Sequence, residues 1–229
     1  MIGDPAILLV VFPLAAYLIG STPFGVIIAR VHGVDLRKAG SGNVGATNVA
    51  RVIGRPWGYL CFFLDMAKGL APALAACLLV RSGGQSPTLL QQGGMLAAGF
   101  GAIAGHVFSF YLGFRGGKGV ATALGVVLGI YPYFTLAGLT ALAIWIAVTL
   151  VSRYVSLGSI ASAAAFLPLF ALYNRLFRWS PFGRLWPLAS FAAAMCLLIV
   201  ARHRANIRRL LAGTENKIGS KGRLGRAQR

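Results

Sequence analysis

Six apolar blocks, separated by short glycine-rich or basic segments, constrain this chain more than any other feature. They run approximately over 6–29, 57–80, 89–111, 119–151, 157–173 and 185–201. A membrane-spanning helix takes roughly 20 mostly apolar residues, so five of the blocks fit one helix each. The block at 119–151 is too long for one ordinary span. It is broken at Tyr131-Pro132-Tyr133, where a proline flanked by aromatic rings suits a turn at the interface, and it predicts two short helices. Hydrophobic residues make up 57% of the 229, more than one soluble core of this size could bury. The expected fold is an all-α, polytopic integral membrane protein. The first block exceeds a signal-peptide core and leads at once into a polar glycine-rich loop without a small-x-small cleavage site, so it reads as a retained helix.

Charge sets the orientation. Lys and Arg total 22 against 4 acidic residues. Five of the basic residues (Arg30, Arg37, Lys38, Arg51, Arg55) follow the first block and nine follow the last, beginning at Arg202 and ending at Arg229. Both groups belong on the cytoplasmic side, which requires an even number of crossings between them. Two crossings in 119–151 meet that requirement. The prediction is seven transmembrane helices, with the N-terminus outside and the C-terminus inside, in a single membrane domain over 1–217. The segment 218–229, rich in Gly, Lys and Arg, is expected to be an unfolded basic tail near anionic headgroups. The outer loops then carry only Arg81, Arg175, Arg178 and Arg184, in keeping with this arrangement.

A net charge of +18 implies anionic lipids, phosphorylated substrates or both as partners. Cys61, Cys77 and Cys196 lie inside apolar blocks and act as small hydrophobes. With three His, three Cys and four acids at no recognised ligand spacing, neither a protein-held metal nor a cofactor is expected.

In this topology the polar clusters at 40–51, 113–119, 152–159 and 202–217 share one face. A transporter needs polar groups leading to both faces, whereas an enzyme joining a soluble substrate to a lipid needs them at one interface. The loop Gly40–Arg51 packs glycines, hydroxyls, amides and an arginine into twelve residues, suited to a polyol phosphate; alone it reads more readily as a flexible turn. It is neither a P-loop nor a dinucleotide fingerprint. In Gly105–Gly119, glycines wrap Arg115 and Lys118. Backbone N–H groups there can converge on an oxyanion beside a lysine, or the loop can be a topology signal. Asp65 and Lys68 lie one turn apart inside an apolar block, where charge is costly enough to require a role: orienting a basic residue, or packing two helices. Pro23 should kink the first helix near Gly20–Gly25. After Arg202, helical spacing places His203 and Asn206 on one face, with Arg204 and Arg208 on another.

Taken together, Gly40–Arg51, Asp65-x-x-Lys68-Gly69, Gly105–Thr122 and Arg202–Lys217 resemble the bacterial acyl-phosphate:glycerol-3-phosphate acyltransferases, the PlsY family. The resemblance implies a seven-helix inner-membrane enzyme. Its reaction would move a fatty acyl group from acyl phosphate to the 1-hydroxyl of glycerol 3-phosphate, with 1-acylglycerol 3-phosphate and phosphate as products, in the first acylation of phospholipid synthesis. On that reading Lys118, with Arg115 or the Gly116-Gly117 backbone, holds the donor phosphate, and Arg51 with Thr47 and Asn48 holds glycerol 3-phosphate. The resemblance also implies Ser41, Asn43, Ser156, His203, Asn206 and Glu215 as site residues, supported by Asp65, Lys68 and His106. The base is either His203, with Glu215 as its orienter, or a phosphate oxygen of the donor. Partners would be the two substrates and membrane lipids, with no nucleic acid.

Two alternatives fail on the residues. No His is followed by Asp at the His-x4-Asp spacing of soluble-type glycerolipid acyltransferases, and the three scattered Asp residues cannot form the metal cluster of a CDP-alcohol phosphotransferase. An anion channel would call for repeat symmetry and a polar outer vestibule, and the sequence has neither.

Overall fold

The computed structural model describes residues 5–80 and 87–219, and helix is the only regular secondary structure among them. A π-helical turn, Ile7–Val11, runs into α1 (Phe12–Ser21), and α2 (Phe24–Val31) resumes after a break at Thr22-Pro23. Proline supplies no N–H and its ring blocks the preceding turn, so the break falls where the sequence places the kink. The chain then forms α3 (Ala46–Val52), α4 (Arg55–Leu79), α5 (Leu89–Val107), α6 (Val120–Gly129), α7 (Thr135–Ser152), α8 (Val155–Leu176), α9 (Trp186–Arg202) and α10 (Arg204–Leu211). Thr88 and Gln91 open α5 with a reciprocal capping box, which satisfies two N–H groups that the first turn leaves orphaned.

Among the described residues, five segments are long and apolar enough to cross a membrane: 7–31, α4, Leu89–Leu112, α7 and α8. A sixth arises if α9 and α10, bent by 56°, count as one span. The expected hairpin in 119–151 forms as α6 and α7, but α6 departs from the expectation of a full crossing. Its ten residues rise only about 15 Å, half the hydrocarbon thickness. The eighteen residues of α7 are long enough to cross, so the two arms of the hairpin differ in length.

Helices approach backbone to backbone where glycine removes the side chain. A Cβ on Gly20, Gly101 or Gly105 would overlap carbonyl groups across the α1–α5 contact, and one on Gly69 or Gly125 would do so between α4 and α6. Small residues at such crossings are what association in lipid favours. Deep in the bundle Phe134 packs on Phe166, Phe170 and Phe191, with ring centroids 5.3, 5.1 and 6.3 Å away. Leu14, Phe63, Leu150 and Leu197 face outward, as a lipid-facing surface requires.

Arg81 and residues 220–229 lie outside the described residues. The segment predicted as an unfolded tail is anchored at its start: Ile218 N–H donates to the Arg153 carbonyl at 2.8 Å and Arg153 Nη2 donates to the Ile218 carbonyl at 2.8 Å.

Candidate active site

The polar loops meet at one end of the bundle around a cavity of about 280 Å³. Ser41, Asn43, Thr47, Asn48 and Arg51 enter from the first loop and α3. Lys118 comes from the turn before α6, Ser156 from the start of α8, and Arg202, His203, Asn206, Arg209 and Glu215 from the chain around α10, with Asp65 and His106 at the back.

A hydrogen-bonded chain links the far sides of this cavity. Lys118 Nζ donates to Asn206 Oδ1 at 2.5 Å, and Asn206 Nδ2 donates to Glu215 Oε1 at 2.6 Å. The same carboxylate accepts Ser156 Oγ at 2.8 Å and Arg209 Nε at 2.6 Å. Burial alone would raise the Glu215 carboxyl, but the hydrogen bonds from Asn206, Arg209 and Ser156 outweigh it and hold the group below the usual carboxylate range,. Burial first, and then the charges of Arg209, Arg202 and Arg51, bring the Lys118 ammonium down to about 8, against an opposing pull from Glu215. Four cations, Arg51, Lys118, Arg202 and Arg209, thus line a cavity in which, among the described residues, Glu215 is their one carboxylate neighbour, because Asp65 is engaged with Lys68.

His203 sits at the bend between α9 and α10, almost fully buried, with Nδ1 on the Ile199 carbonyl at 2.7 Å. A carbonyl only accepts, so Nδ1 carries the proton and Nε2 offers the lone pair.

Behind the cavity lies a second ionic group. Lys68 Nζ is 2.7 Å from Asp65 Oδ1 and donates at 2.8 Å to the Thr22 carbonyl at the α1–α2 break. His106 Nδ1 stands 3.6 Å from the same Asp65 oxygen. Gly117 lies against the His106 ring so closely that a Cβ would overlap Nε2. The His106 ring thus packs directly on the backbone from which Lys118 projects. Ser109 Oγ donates to the Ser21 carbonyl at 2.6 Å and ties this loop to the end of α1.

The cavity does not end at its polar wall. Phe62, Val120, Trp145 and Ser159 also line an apolar groove between α6, α7, α8 and α9. Trp145 Nε1 donates to Ser159 Oγ at 3.2 Å and its ring stacks on Phe62. The indole thus joins a wet half to a dry half.

The glycerol-3-phosphate acyltransferase family model matches residues 10–213. The chain belongs to the glycerol-3-phosphate acyltransferase family. It is thus an enzyme, an acyltransferase, integral to a membrane and serving phospholipid synthesis. It is 45% identical over 202 residues to the glycerol-3-phosphate acyltransferase of Geobacter sulfurreducens, covering 88% of this chain and 93% of that one. Against the Aquifex aeolicus enzyme it is 44% identical over 216 residues, covering 93% and 98%. The solved structure of PlsY (YgiH), an integral membrane glycerol 3-phosphate acyltransferase, in its glycerol 3-phosphate form superposes with a TM-score of 0.76 at 39% identity, over 91% of this chain and 94% of that one. Its lysophosphatidic acid form gives 0.74 at 38%, over 94% and 97%.

In this acyltransferase several residues stand otherwise than the sequence suggests. The Gly116 and Gly117 N–H groups donate to the Val107 and His106 carbonyls at 3.1 and 3.0 Å, so they close a turn instead of facing an anion. Arg115 is exposed and, with Gly116 and Gly117, does not line the cavity. Asn48 accepts Ser41 N–H at 2.8 Å and donates to the Leu36 and Ala39 carbonyls at 3.3 and 3.0 Å; it pins the first loop. Glu215 binds Ser156, Asn206 and Arg209, leaving the Ile199 carbonyl to orient His203. Arg202 and Arg209 also line the cavity, although neither is among the expected site residues. Arg209 lies three residues after Asn206 and shares its face, so helical spacing contained that signal. Arg202 instead reaches the Gly117 carbonyl at 3.0 Å, a long-range contact with no local sign.

Proposed function

We propose that this enzyme transfers a fatty acyl group from acyl phosphate to the 1-hydroxyl of glycerol 3-phosphate, giving 1-acylglycerol 3-phosphate and inorganic phosphate. One observation carries the reading: a cavity with four cations to one available carboxylate opens directly into an apolar groove. The cationic half suits two phosphates, and the groove suits one acyl chain.

Lys118 and Arg202 hold the donor phosphate, and Asn206 aims the Lys118 ammonium. Arg51, with Ser41, Asn43 and Thr47 around it, holds glycerol 3-phosphate, while Ser156 and Glu215 fix Asn206 and Arg209. Asn48, Asp65, Lys68 and His106 hold the two loops in place. The hydroxyl oxygen attacks the carbonyl carbon, and the bond from that carbon to the phosphate oxygen breaks. His203 Nε2 accepts the hydrogen bond that aims the hydroxyl. A positive charge on this buried ring would face Lys118 and Arg202, so the proton finishes on the departing phosphate. Acyl phosphate has a good leaving group, and alignment with charge neutralisation supplies most of the acceleration.

The cationic loops belong on the cytoplasmic face of the bacterial inner membrane, with the N-terminus outside and seven helical segments embedded, since basic residues crowd the loops at this end. Labelling of cysteines placed at Thr47 and near the N-terminus from opposite sides of sealed vesicles tests that orientation; labelling of both from one side overturns it. Purified enzyme supplied with acyl phosphate and glycerol 3-phosphate should form lysophosphatidate and release phosphate in equal amounts, with chelator present. Product from acyl-CoA alone would refute the donor assignment.

A further inference from the structure

The apolar groove has a floor. Its lining holds small side chains, Ala123, Ala141 and Ala163 among them, nearer the polar cavity, and on α6 and α8 it ends at Val127 and Phe166. Phe166 is only 3% exposed and lies edge-on to Phe134, itself wedged against Phe170 and Phe191. Beside it α6 meets α7 without a gap, for a Cβ on Gly138 would overlap Val127 Cγ1. Ser159, at the mouth, and Phe166 stand seven residues apart on one helix, which puts the floor about 10 Å below the mouth.

Resting on the acyl phosphate reading above, we infer that Phe166, backed by Phe134 and flanked by Ala163, is the stop that sets the acyl-chain length this enzyme prefers. The physical reason lies in the solvent. A chain leaving the bilayer gains little hydrophobic free energy in the groove, since lipid tails are as apolar as its walls. Discrimination by length therefore comes from packing. A chain that ends at Phe166 fills the groove, and a longer one must displace rings already packed at crystal-like density.

The test is competition between octanoyl, dodecanoyl and hexadecanoyl phosphates in one detergent mixture, with products resolved by mass. Ala163→Leu narrows the groove just above the floor and should reduce the hexadecanoyl-to-octanoyl product ratio about ten-fold. Phe166→Leu lowers the floor and should raise the same ratio, while the KM for glycerol 3-phosphate holds in both. The two variants alter packing in opposite senses, so misfolding cannot produce opposite shifts. If both leave the parent's product distribution unmoved, the chain does not lie against Phe166 and the inference falls, although the donor assignment stands. If the parent makes no lysophosphatidate from any acyl phosphate, it is the donor assignment that fails.

Discussion

Two groups of charge lie back to back in this enzyme and differ in how completely they are matched. In the Asp65–Lys68–His106 group the lysine has a carboxylate at 2.7 Å and a backbone carbonyl at 2.8 Å, and both ionic side chains are almost fully buried. In the group around Lys118, Glu215 alone answers four cations. A matched group has no remaining attraction for an anion and serves to fix backbone; an unmatched one needs the charge that a phosphate brings. The comparison separates scaffold from site in a region where both are built of the same residue types.

Removing one partner of the matched group should have the largest effect. Asp65→Ala leaves Lys68 charged and buried, and should cost about 3–5 kcal/mol of stability, seen as a steep fall in Tm. In the unmatched group, Lys118→Ala should leave Tm close to the parent's and reduce kcat/KM with acyl phosphate by about 10²–10³. On the proposed mechanism His203→Ala removes only the aim of the attacking hydroxyl and should lower kcat by about 10²; nearly full turnover at saturating substrate would remove His203 from the mechanism.

Lys118 also predicts a pH dependence. Its ammonium has been brought down to about 8, so the charge is present below that value and is lost as pH rises through it. In the free enzyme kcat/KM should then fall above pH 8 by up to about ten-fold per unit, and Lys118→Arg should abolish that alkaline limb. The smallest effect belongs to Ser156→Ala, which removes one of three hydrogen bonds to Glu215 and should slow turnover by about ten-fold or less.

Much of this was legible in the sequence, and the reasons are physical. Apolar blocks mark helices because lipid tolerates little else, so α4, α5, α8 and α9 fall close to their predicted bounds, and Pro23 and Pro132 mark breaks. The residues that gather at the cavity were recognisable because hydroxyls, amides and cations are uncommon in this chain. Which of their donors are already engaged was not legible. Gly116, Gly117 and Asn48 carry suitable groups, yet their partners are carbonyls supplied by the fold. The unequal arms of the hairpin, ten residues in α6 against eighteen in α7, were equally hidden, because charge parity counts crossings and not their lengths.

The distinction between the two charge groups has a direct measurement. Asp65→Asn combined with Lys68→Met neutralises the matched group without leaving a buried charge unpaired, and Lys118→Met neutralises one cation of the other. Steady-state kcat/KM with acyl phosphate, taken alongside Tm, should show the double variant keeping most of the parent's activity and Lys118→Met losing about 10² or more with an unchanged Tm. An active Lys118→Met enzyme, or a folded but inactive double variant, would contradict the assignment of scaffold and site.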